Sequence, residues 1–170
     1  MAASAPLNTP ELLKRLFEAD VAFIVIGGVA ATAHGSALVT ADLDVCAPVN
    51  PDTTTRIVRA LQDLRPVFRD RPDLGVVLPD NHNLRLLKNL YLYTDAGKLD
   101  VLGELPEVCT YDELVGRCVT MEISGIRCLV VDIDTLMEAK RVAGRPKDLL
   151  TIHQLNAVKR ERAQNPGLFE

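Results

Sequence analysis

Hydrophobic and polar positions follow two different periods along the chain, which separates helices from strands. Behind Thr9 and Pro10, apolar residues recur at helical spacing, at Leu12, Leu13, Leu16 and Phe17. Thr9 is a residue type that caps helices and Pro10 suits the first helical position, so we predict a helix over residues 10–19. The next run, VAFIVI at 21–26, is wholly apolar, which is typical of a strand buried on both faces.

Two later segments alternate acidic and apolar residues with the period of a strand. In ADLDVCA (41–47), Asp42 and Asp44 fall on one face and the apolar residues between them on the other. KLDVLG (98–103) repeats this arrangement, with Asp100 between two apolar residues. We therefore predict two strands that each present carboxylates on one face.

The rest of the chain alternates helical and strand patterns. We predict a helix from Pro51 to about Leu64, strands in PVFRD (66–70), GVVLP (75–79) and LRLLKNLYLYT (84–94), a short helix in YDELVGR (111–117), a hairpin turning at Ser124–Gly125, a helix over IDTLMEAKRVAG (133–144) ended by Gly144, and a last helix from Pro146. This order favours an α+β fold in which helices flank a mixed sheet. No linker divides the chain, so we predict a single domain over 1–170, with 132–170 as a helical C-terminal subregion.

Composition narrows the class of protein. At 170 residues and 48% hydrophobic content, the chain can bury one core, and no apolar stretch approaches the roughly 20 residues that cross a bilayer. We expect a soluble, cytoplasmic protein that does not contact membranes. The net charge of −4 opposes broad affinity for nucleic acid, although cations gathered near the C-terminus leave a local basic patch open.

Several familiar site types are missing from the sequence. The four cysteines and three histidines are scattered without a zinc-binding spacing, and we interpret the cysteines as reduced core residues. The glycine patterns of dinucleotide-binding and P-loop proteins are absent as well. The acidic strands are therefore the main candidate for chemistry.

Two carboxylates so close in space repel each other unless a cation lies between them, and oxygen ligands suit Mg²⁺. A two-metal site on Asp42, Asp44 and Asp100 can activate a hydroxyl and stabilise a leaving pyrophosphate. The plainer interpretations are a solvated strand face for Asp42 and Asp44, and a surface residue paired with Lys98 for Asp100. These residues alone leave both interpretations open.

Gly27 and Gly28 stand between the apolar strand and a short alanine-rich helix. Their backbone N–H groups can bind phosphate oxygens, although a tight turn would equally require glycine. Lys140 falls on the apolar face of the helix over 133–144, where it either extends to solvent or serves something buried.

The segment GRPKD adds more charge directly after that helix. Arg145 and Lys147 can bind phosphates, and Asp148 can orient one of these cations or cap the last helix. Both roles for Asp148 are compatible with the sequence.

These residues resemble a known family. IGGVAATAHGSALVTADLDV (26–45) resembles the nucleotidyltransferase-fold signature, in which a hydrophobic residue, Gly-Gly or Gly-Ser, and about a dozen further residues precede Asp-hydrophobic-Asp-hydrophobic. KLDVLGEL, YDELVGR, VVDIDTLMEAK and AGRPKDLLTIHQL are similar, in order, to the minimal bacterial nucleotidyltransferases grouped with the AbiEii type toxins.

The resemblance implies a polymerase-beta-like nucleotidyltransferase core with flanking helices and a small helical C-terminal part. It implies an NTP substrate with Mg²⁺ or Mn²⁺ as cofactor, and transfer of NMP to a hydroxyl acceptor with release of pyrophosphate. Asp42 and Asp44 would bind metal, with Asp100 as the third ligand and the base for the hydroxyl. Phosphate contacts would come from Gly27, Gly28, Lys140, Arg145 and Lys147.

Acceptors implied by the resemblance are a tRNA end, a protein side chain or, as in more distant relatives, an aminoglycoside hydroxyl, and some relatives are toxins neutralised by an antitoxin. One residue departs from the pattern, because Leu38 stands where relatives often carry an arginine. This departure shifts phosphate binding toward Lys140 and its neighbours. The alternative function is a catalytically weak module that binds nucleotide or an antitoxin.

Overall fold

The computed structural model describes residues 5–166. Within that range it has six α-helices: α1 (Thr9–Glu18), α2 (Gly27–His34), α3 (Pro51–Ala60), α4 (Tyr111–Val115), α5 (Ile133–Ala143) and α6 (Pro146–Gln164). The nine strands of the same range are β1 (Ile24–Ile26), β2 (Asp42–Cys46), β3 (Val67–Phe68), β4 (Asn89–Thr94), β5 (Gly97–Leu102), β6 (Glu104–Leu105), β7 (Cys109–Thr110), β8 (Cys118–Ile123) and β9 (Ile126–Val131).

Seven of these strands form one mixed sheet in the order β3-β4-β5-β2-β1-β9-β8, and β6 pairs with β7 in a separate ribbon. The pairs β2–β5 and β1–β9 are parallel, whereas the other neighbours in the sheet are antiparallel. The predicted α+β fold with a mixed, helix-flanked sheet is confirmed. The ends of the domain predicted over 1–170 lie outside the described residues, and the domain division stays a prediction.

Strand pairing lines up chemically related residues across the sheet. Asp44 on β2 is the register partner of Asp100 on β5, which in turn is the partner of Tyr91 on β4. Directly after β3, the backbone N–H of Arg69 donates to the Tyr91 carbonyl at 3.0 Å, which extends the row by one residue. Register partners present their side chains on the same face, so this polar row runs across four neighbouring chain segments.

The opposite face of the same strands is apolar and forms part of the core. Leu43, Leu92 and Leu99 are register partners on β2, β4 and β5, and all three are fully buried. This alternation is the period-2 pattern that the sequence predicts for β2 and β5. The buried leucines thereby orient the acidic residues toward the other side of the sheet.

The C-terminal helices attach to the helix that follows β1. Ser36, just after α2, donates from its hydroxyl to Gln154 Oε1 on α6 at 2.7 Å. Arg162, farther along α6, donates to the His34 carbonyl at 3.0 Å. These contacts and the packing of α5 on α6 place the C-terminal cations beside the acidic strands. No helix in residues 5–166 has the length and apolar character needed to cross a membrane.

The hairpin at Ser124–Gly125, the end of α5 at Gly144 and the start of α6 at Pro146 are confirmed. The prediction that Thr9 caps α1 is wrong, because the helix begins one residue earlier and the Asn8 side chain accepts from the Glu11 N–H.

Further boundaries differ from the prediction: the strand predicted over VAFIVI begins only at Ile24, and the strand predicted in PVFRD covers only Val67–Phe68. The helix from Pro51 ends at Ala60 and continues only as a short 3₁₀ turn, Gln62–Leu64. The strand predicted over 84–94 starts at Asn89, because a 3₁₀ segment, His82–Leu86, precedes it. The strand predicted in GVVLP is reduced to one bridge between Val76 and Val67, since Gly75 has a left-handed φ of 72° and interrupts extended backbone.

Candidate active site

Asp42, Asp44 and Asp100 form one cluster of carboxylates. One oxygen from each lies within 4.8 Å of the others, and within residues 5–166 this is the one group of three or more His, Cys, Asp or Glu side chains with such spacing. The parallel pairing of β2 with β5 creates the cluster, because it sets Asp44 beside Asp100 and Asp42 two residues farther along the same face. The structure thus brings together the three acids that the sequence singles out.

The charged form of Asp44 is disfavoured in this arrangement. Burial, followed by the charges of Asp42 and Asp100, raises the pKa of Asp44 to about 6, while Lys140 and Lys147 oppose the shift. Desolvation and like charges both disfavour a carboxylate anion. A cation bound at this cluster would relieve both effects.

Gly27 and Gly28 lie directly against the acidic strand. Gly27 has a left-handed φ of 63°, and a Cβ on it would stand 2.1 Å from Oδ2 of Asp44. A Cβ on Gly28 would stand 2.5 Å from the hydroxyl oxygen of Thr40, which in turn donates to Oδ1 of Asp42 at 2.8 Å. Both positions therefore exclude any side chain, and the reason is close packing against the groups that hold the carboxylates.

Lys140 and Arg145 are fixed by one buried acid, Asp148. The Lys140 ammonium lies 3.0 Å from Oδ1 of Asp148, and the Arg145 Nε donates to Oδ2 at 2.7 Å. The Asp148 side chain is fully buried and also accepts from the Arg145 backbone N–H at 3.2 Å, which caps α6. Burial alone would raise the pKa of Asp148, but the hydrogen bonds from Arg145 and Lys140 outweigh it and lower that pKa. Asp148 therefore has both of the roles that the sequence left open.

These groups line one cleft of about 430 Å³. Its walls carry the three carboxylates and Lys98 from β2 and β5, the cations Lys140, Arg145 and Lys147 from α5 and the start of α6, and Gly28, Thr40 and apolar residues of the loop after α2. Leu38 lines the cleft as well and brings no charge to it. The positive side of the cleft therefore comes mainly from α5 and α6.

A second, largely apolar pocket of about 350 Å³ opens from the same place. It shares Asp44, Lys140 and Arg145 with the charged cleft, and its other walls are mostly aliphatic residues from the ends of β1, β5 and β9 and from α5. A ligand with a charged part and an apolar part can occupy both spaces at once.

Sequence reasoning missed two residues of the site, Arg69 and Thr40. Arg69 forms a two-point ion pair with Asp100, with Nη1 at 2.7 Å from Oδ1 and Nη2 at 2.8 Å from Oδ2. Lys98, the partner expected from the sequence, instead stands over the ring of Tyr93, 6.0 Å from its centroid. Thr40 was detectable in principle, since a threonine two residues before an acid can donate to it. Arg69 was not, because its position depends on the strand order.

The cluster fits a divalent cation by its donor set. Three carboxylates supply hard oxygen ligands, and burial together with the charges of Asp42 and Asp100 raises the pKa of Asp44, an effect that a bound cation would oppose. The chain offers no sulfur or imidazole in this group, which suits Mg²⁺ or Mn²⁺ better than zinc.

Comparison with solved structures shows that the chain has the nucleotidyltransferase fold. The lincosamide antibiotic adenylyltransferase LnuA, solved with lincomycin bound, is similar with a TM-score of 0.60 at 12% identity, over 90% of this chain and 99% of that one. ANT(2″)-Ia in complex with adenylyl-2″-tobramycin is similar with a TM-score of 0.55 at 15% identity, over 94% and 95% of the two chains. An antigenic nucleotidyltransferase-like protein from Paracoccidioides brasiliensis is similar with a TM-score of 0.56 at 16% identity, over 91% and 78%.

No protein-family model matches the sequence, and no curated protein matches it. The comparisons support the nucleotidyltransferase fold as expected from the sequence, but do not confirm the narrower resemblance to AbiEii type toxins. That narrower assignment stays a prediction.

Proposed function

We propose that this protein is a metal-dependent nucleotidyltransferase, which transfers NMP from an NTP to a hydroxyl acceptor and releases pyrophosphate. The observation that carries the proposal is the meeting of three carboxylates, Gly28 at the start of α2, and the cations Lys140, Arg145 and Lys147 in one cleft. Nucleotidyl transfer requires this combination, because a polyanionic substrate and its metal must be held at the same place.

Asp42, Asp44 and Asp100 would hold Mg²⁺ or Mn²⁺ through their carboxylate oxygens. The bound metal would neutralise charge on the triphosphate and stabilise the pyrophosphate as it leaves. The acceptor oxygen would attack the α-phosphorus while the bond from that phosphorus to the pyrophosphate oxygen breaks, and Asp100 would take the proton of the acceptor hydroxyl. Burial, opposed by Arg69, raises the pKa of Asp100, which favours it as a proton acceptor.

The chain's own cations would bind the triphosphate. Lys140 and Arg145 are held in fixed positions by Asp148, so they can meet phosphate oxygens without first being ordered. Lys147 lines the same cleft and lies close enough to lower the pKa of Asp44. The backbone N–H groups at the start of α2 would face the phosphates without any side chain in the way.

Two classes of acceptor follow from two different observations. The resemblance to AbiEii type proteins supports an RNA or tRNA end or a protein hydroxyl, together with an antitoxin partner. The similarity to LnuA and ANT(2″)-Ia over nearly the full chain, and the adjoining apolar pocket of about 350 Å³, support a small hydroxylated molecule instead.

Incubation with each α-labelled NTP and Mg²⁺ tests the proposal. Total RNA, total protein, and lincomycin or tobramycin are offered as acceptors in separate reactions, and labelled product and pyrophosphate are measured. Wild-type protein should label one acceptor class and release pyrophosphate, whereas Asp42→Asn and Asp44→Asn should do neither. Binding of NTP without pyrophosphate release from any acceptor would contradict the proposal and favour a catalytically weak binding module.

A further inference from the structure

Arg69 occupies the third carboxylate of the cluster from both sides. Its two terminal nitrogens approach the two oxygens of Asp100 at 2.7 and 2.8 Å: Nη2 donates a hydrogen bond to Oδ2, whereas the buried Oδ1 lies beside Nη1 as an ion pair without accepting a hydrogen bond. Among the described residues, Asp42 and Asp44 form no ion pair of this kind. The three acids of the cluster are therefore not equivalent.

The guanidinium is held in this position by more than its partner. The Arg69 backbone donates to the Tyr91 carbonyl, and its side chain lies over the Tyr91 ring, 5.0 Å from the centroid. Tyr91 is also the register partner of Asp100, so one tyrosine supports both members of the ion pair. A stacked, two-point arginine of this kind loses little side-chain freedom on binding and is pre-organised for its carboxylate.

The ion pair also changes the charge of the cluster. Arg69 beside it offsets part of the Asp100 charge, so most of the attraction for a cation comes from Asp42 and Asp44. A positive group a few ångströms from a metal site weakens binding of a second positive ion. The side chain of Arg69 is 28% exposed, so the guanidinium has solvent into which it can move.

We propose that Arg69 is a positioning residue that serves as a built-in counter-ion and withholds Asp100 from metal in the nucleotide-free protein. The resting protein then binds divalent metal through Asp42 and Asp44, and Asp100 becomes free to act as a ligand or as a base only when Arg69 is displaced. This inference rests on the proposed function for the identity of the site, but it concerns which carboxylates are available before substrate arrives.

Mn²⁺ binding to the nucleotide-free protein, followed by electron paramagnetic resonance of the unbound ion, tests this inference without any activity assay. Arg69→Gln should bind Mn²⁺ roughly tenfold more tightly or better, because it exposes the Asp100 charge. Arg69→Lys, which keeps the charge but loses the two-point geometry, should fall between this variant and wild type. Arg71→Gln is the matched control, since Arg71 lies two residues away and pairs with exposed Asp73.

The double variant R69Q/D100N tests whether Asp100 is kept from the metal by Arg69 or already binds the metal in the nucleotide-free protein. If Asp100 and Arg69 act as a neutral pair, removing both should leave Mn²⁺ affinity within about threefold of wild type. A tenfold loss in the double variant, or an unchanged affinity in Arg69→Gln, would overturn the inference. Because the double variant removes the two charges together, it carries the test even if Arg69→Gln alone does not fold.

The same titrations separate failure of this inference from failure of the proposed function. If wild type binds Mn²⁺ and transfers nucleotide but the double variant loses metal affinity, only the role of Arg69 is wrong. If neither wild type nor Arg69→Gln binds Mn²⁺, the metal site itself is wrong and both proposals are overturned.

Discussion

Gly27 and Asp44 are in such close contact that the glycine has no room for a side chain. A Cβ at Gly27 would lie 2.1 Å from the carboxylate oxygen Oδ2 and 2.8 Å from the Cβ of Asp44. The sequence suggested that this glycine serves phosphate or a turn, and the structure adds a third reason, which is the position of the neighbouring acid.

Gly27→Ala should destabilise the protein by about 3 kcal/mol, because left-handed backbone and overpacking each cost about 1–2 kcal/mol. It should also abolish nucleotidyl transfer, since Asp44 must move. Gly125→Ala is the control: Gly125, in the hairpin turn, also has a positive φ, of 79°, but open space around the Cβ position. Urea unfolding of both variants isolates the contact, and equal losses in the two would show that Asp44 simply moves aside.

Asp44→Asn should stabilise the metal-free protein at neutral pH. Because the folded pKa of about 6 exceeds the unfolded value of 3.8, wild-type stability falls as pH rises from about 4 to 6 and stays low above that range. At roughly 1.4 kcal/mol for each pKa unit, the variant should be more stable by about 2–3 kcal/mol at pH 7.5 and show almost no gain near pH 4.

Urea unfolding at both pH values measures this difference, and Asp80→Asn, at an exposed position, controls for the loss of one charge. A variant less stable than wild type at pH 7.5 would show that Asp44 is satisfied without a metal.

His34 should give the opposite pH dependence. It is buried, its Nε2 is 2.8 Å from the Val131 carbonyl, and burial together with the charge of Arg162 lowers its pKa below the model-peptide value of 6.5. The unfolded chain then binds the proton more readily, so this contribution to stability is complete above pH 6.5 and is lost as pH falls below it.

The difference in unfolding free energy between wild type and His34→Gln, followed from pH 7.5 to 5, should therefore shift in favour of the variant at acid pH. Taking the difference between the two unfolding free energies cancels the pH-dependent contribution of Asp44, because both proteins contain this residue. A difference that does not change with pH would mean that the imidazole gains a proton without penalty in the folded state.

Asp148→Asn should cost about 3–5 kcal/mol of stability, because it leaves the Lys140 ammonium, whose side chain is only 11% exposed, without its buried counter-charge. Arg145→Gln should cost about 1 kcal/mol or less, since the Arg145 side chain is 58% exposed. Adding Lys140→Met to Asp148→Asn should restore part of the loss. Chemical denaturation checks all three, and a double variant no more stable than Asp148→Asn would argue that capping of α6 dominates.

The acidic half of the site could be predicted because its geometry is local. Asp42 and Asp44 share a face through the two-residue period of one strand, and Asp100 repeats that pattern in another, so two short segments identify the three acids. The end of α5 at Gly144 follows from the same kind of local signal, since glycine readily adopts the left-handed cap.

The remaining parts of the site and the fold depend on contacts between residues that are far apart in the sequence, and no short segment indicates such contacts. Arg69 reaches Asp100 only because β4 lies between β3 and β5, which is a property of strand order. The cap of α1 is a smaller example, because Asn8 and Thr9 are both good capping residues and the position of Asn8 is set by a distant contact, the hydrogen bond from its backbone N–H to the Ala96 carbonyl at 2.8 Å.

The parallel pairing of β2 with β5 also determines at which stage of folding the candidate site forms. These strands are separated by a helix and two further strands in the chain, and the cations that face them come from α5 and α6, later still. Pairing over such a long sequence separation slows folding, because loop-closure entropy opposes it. During synthesis the carboxylates should therefore emerge as separate surface acids that meet once β5 pairs with β2, and the cations for the triphosphate should join them only after the last two helices have docked.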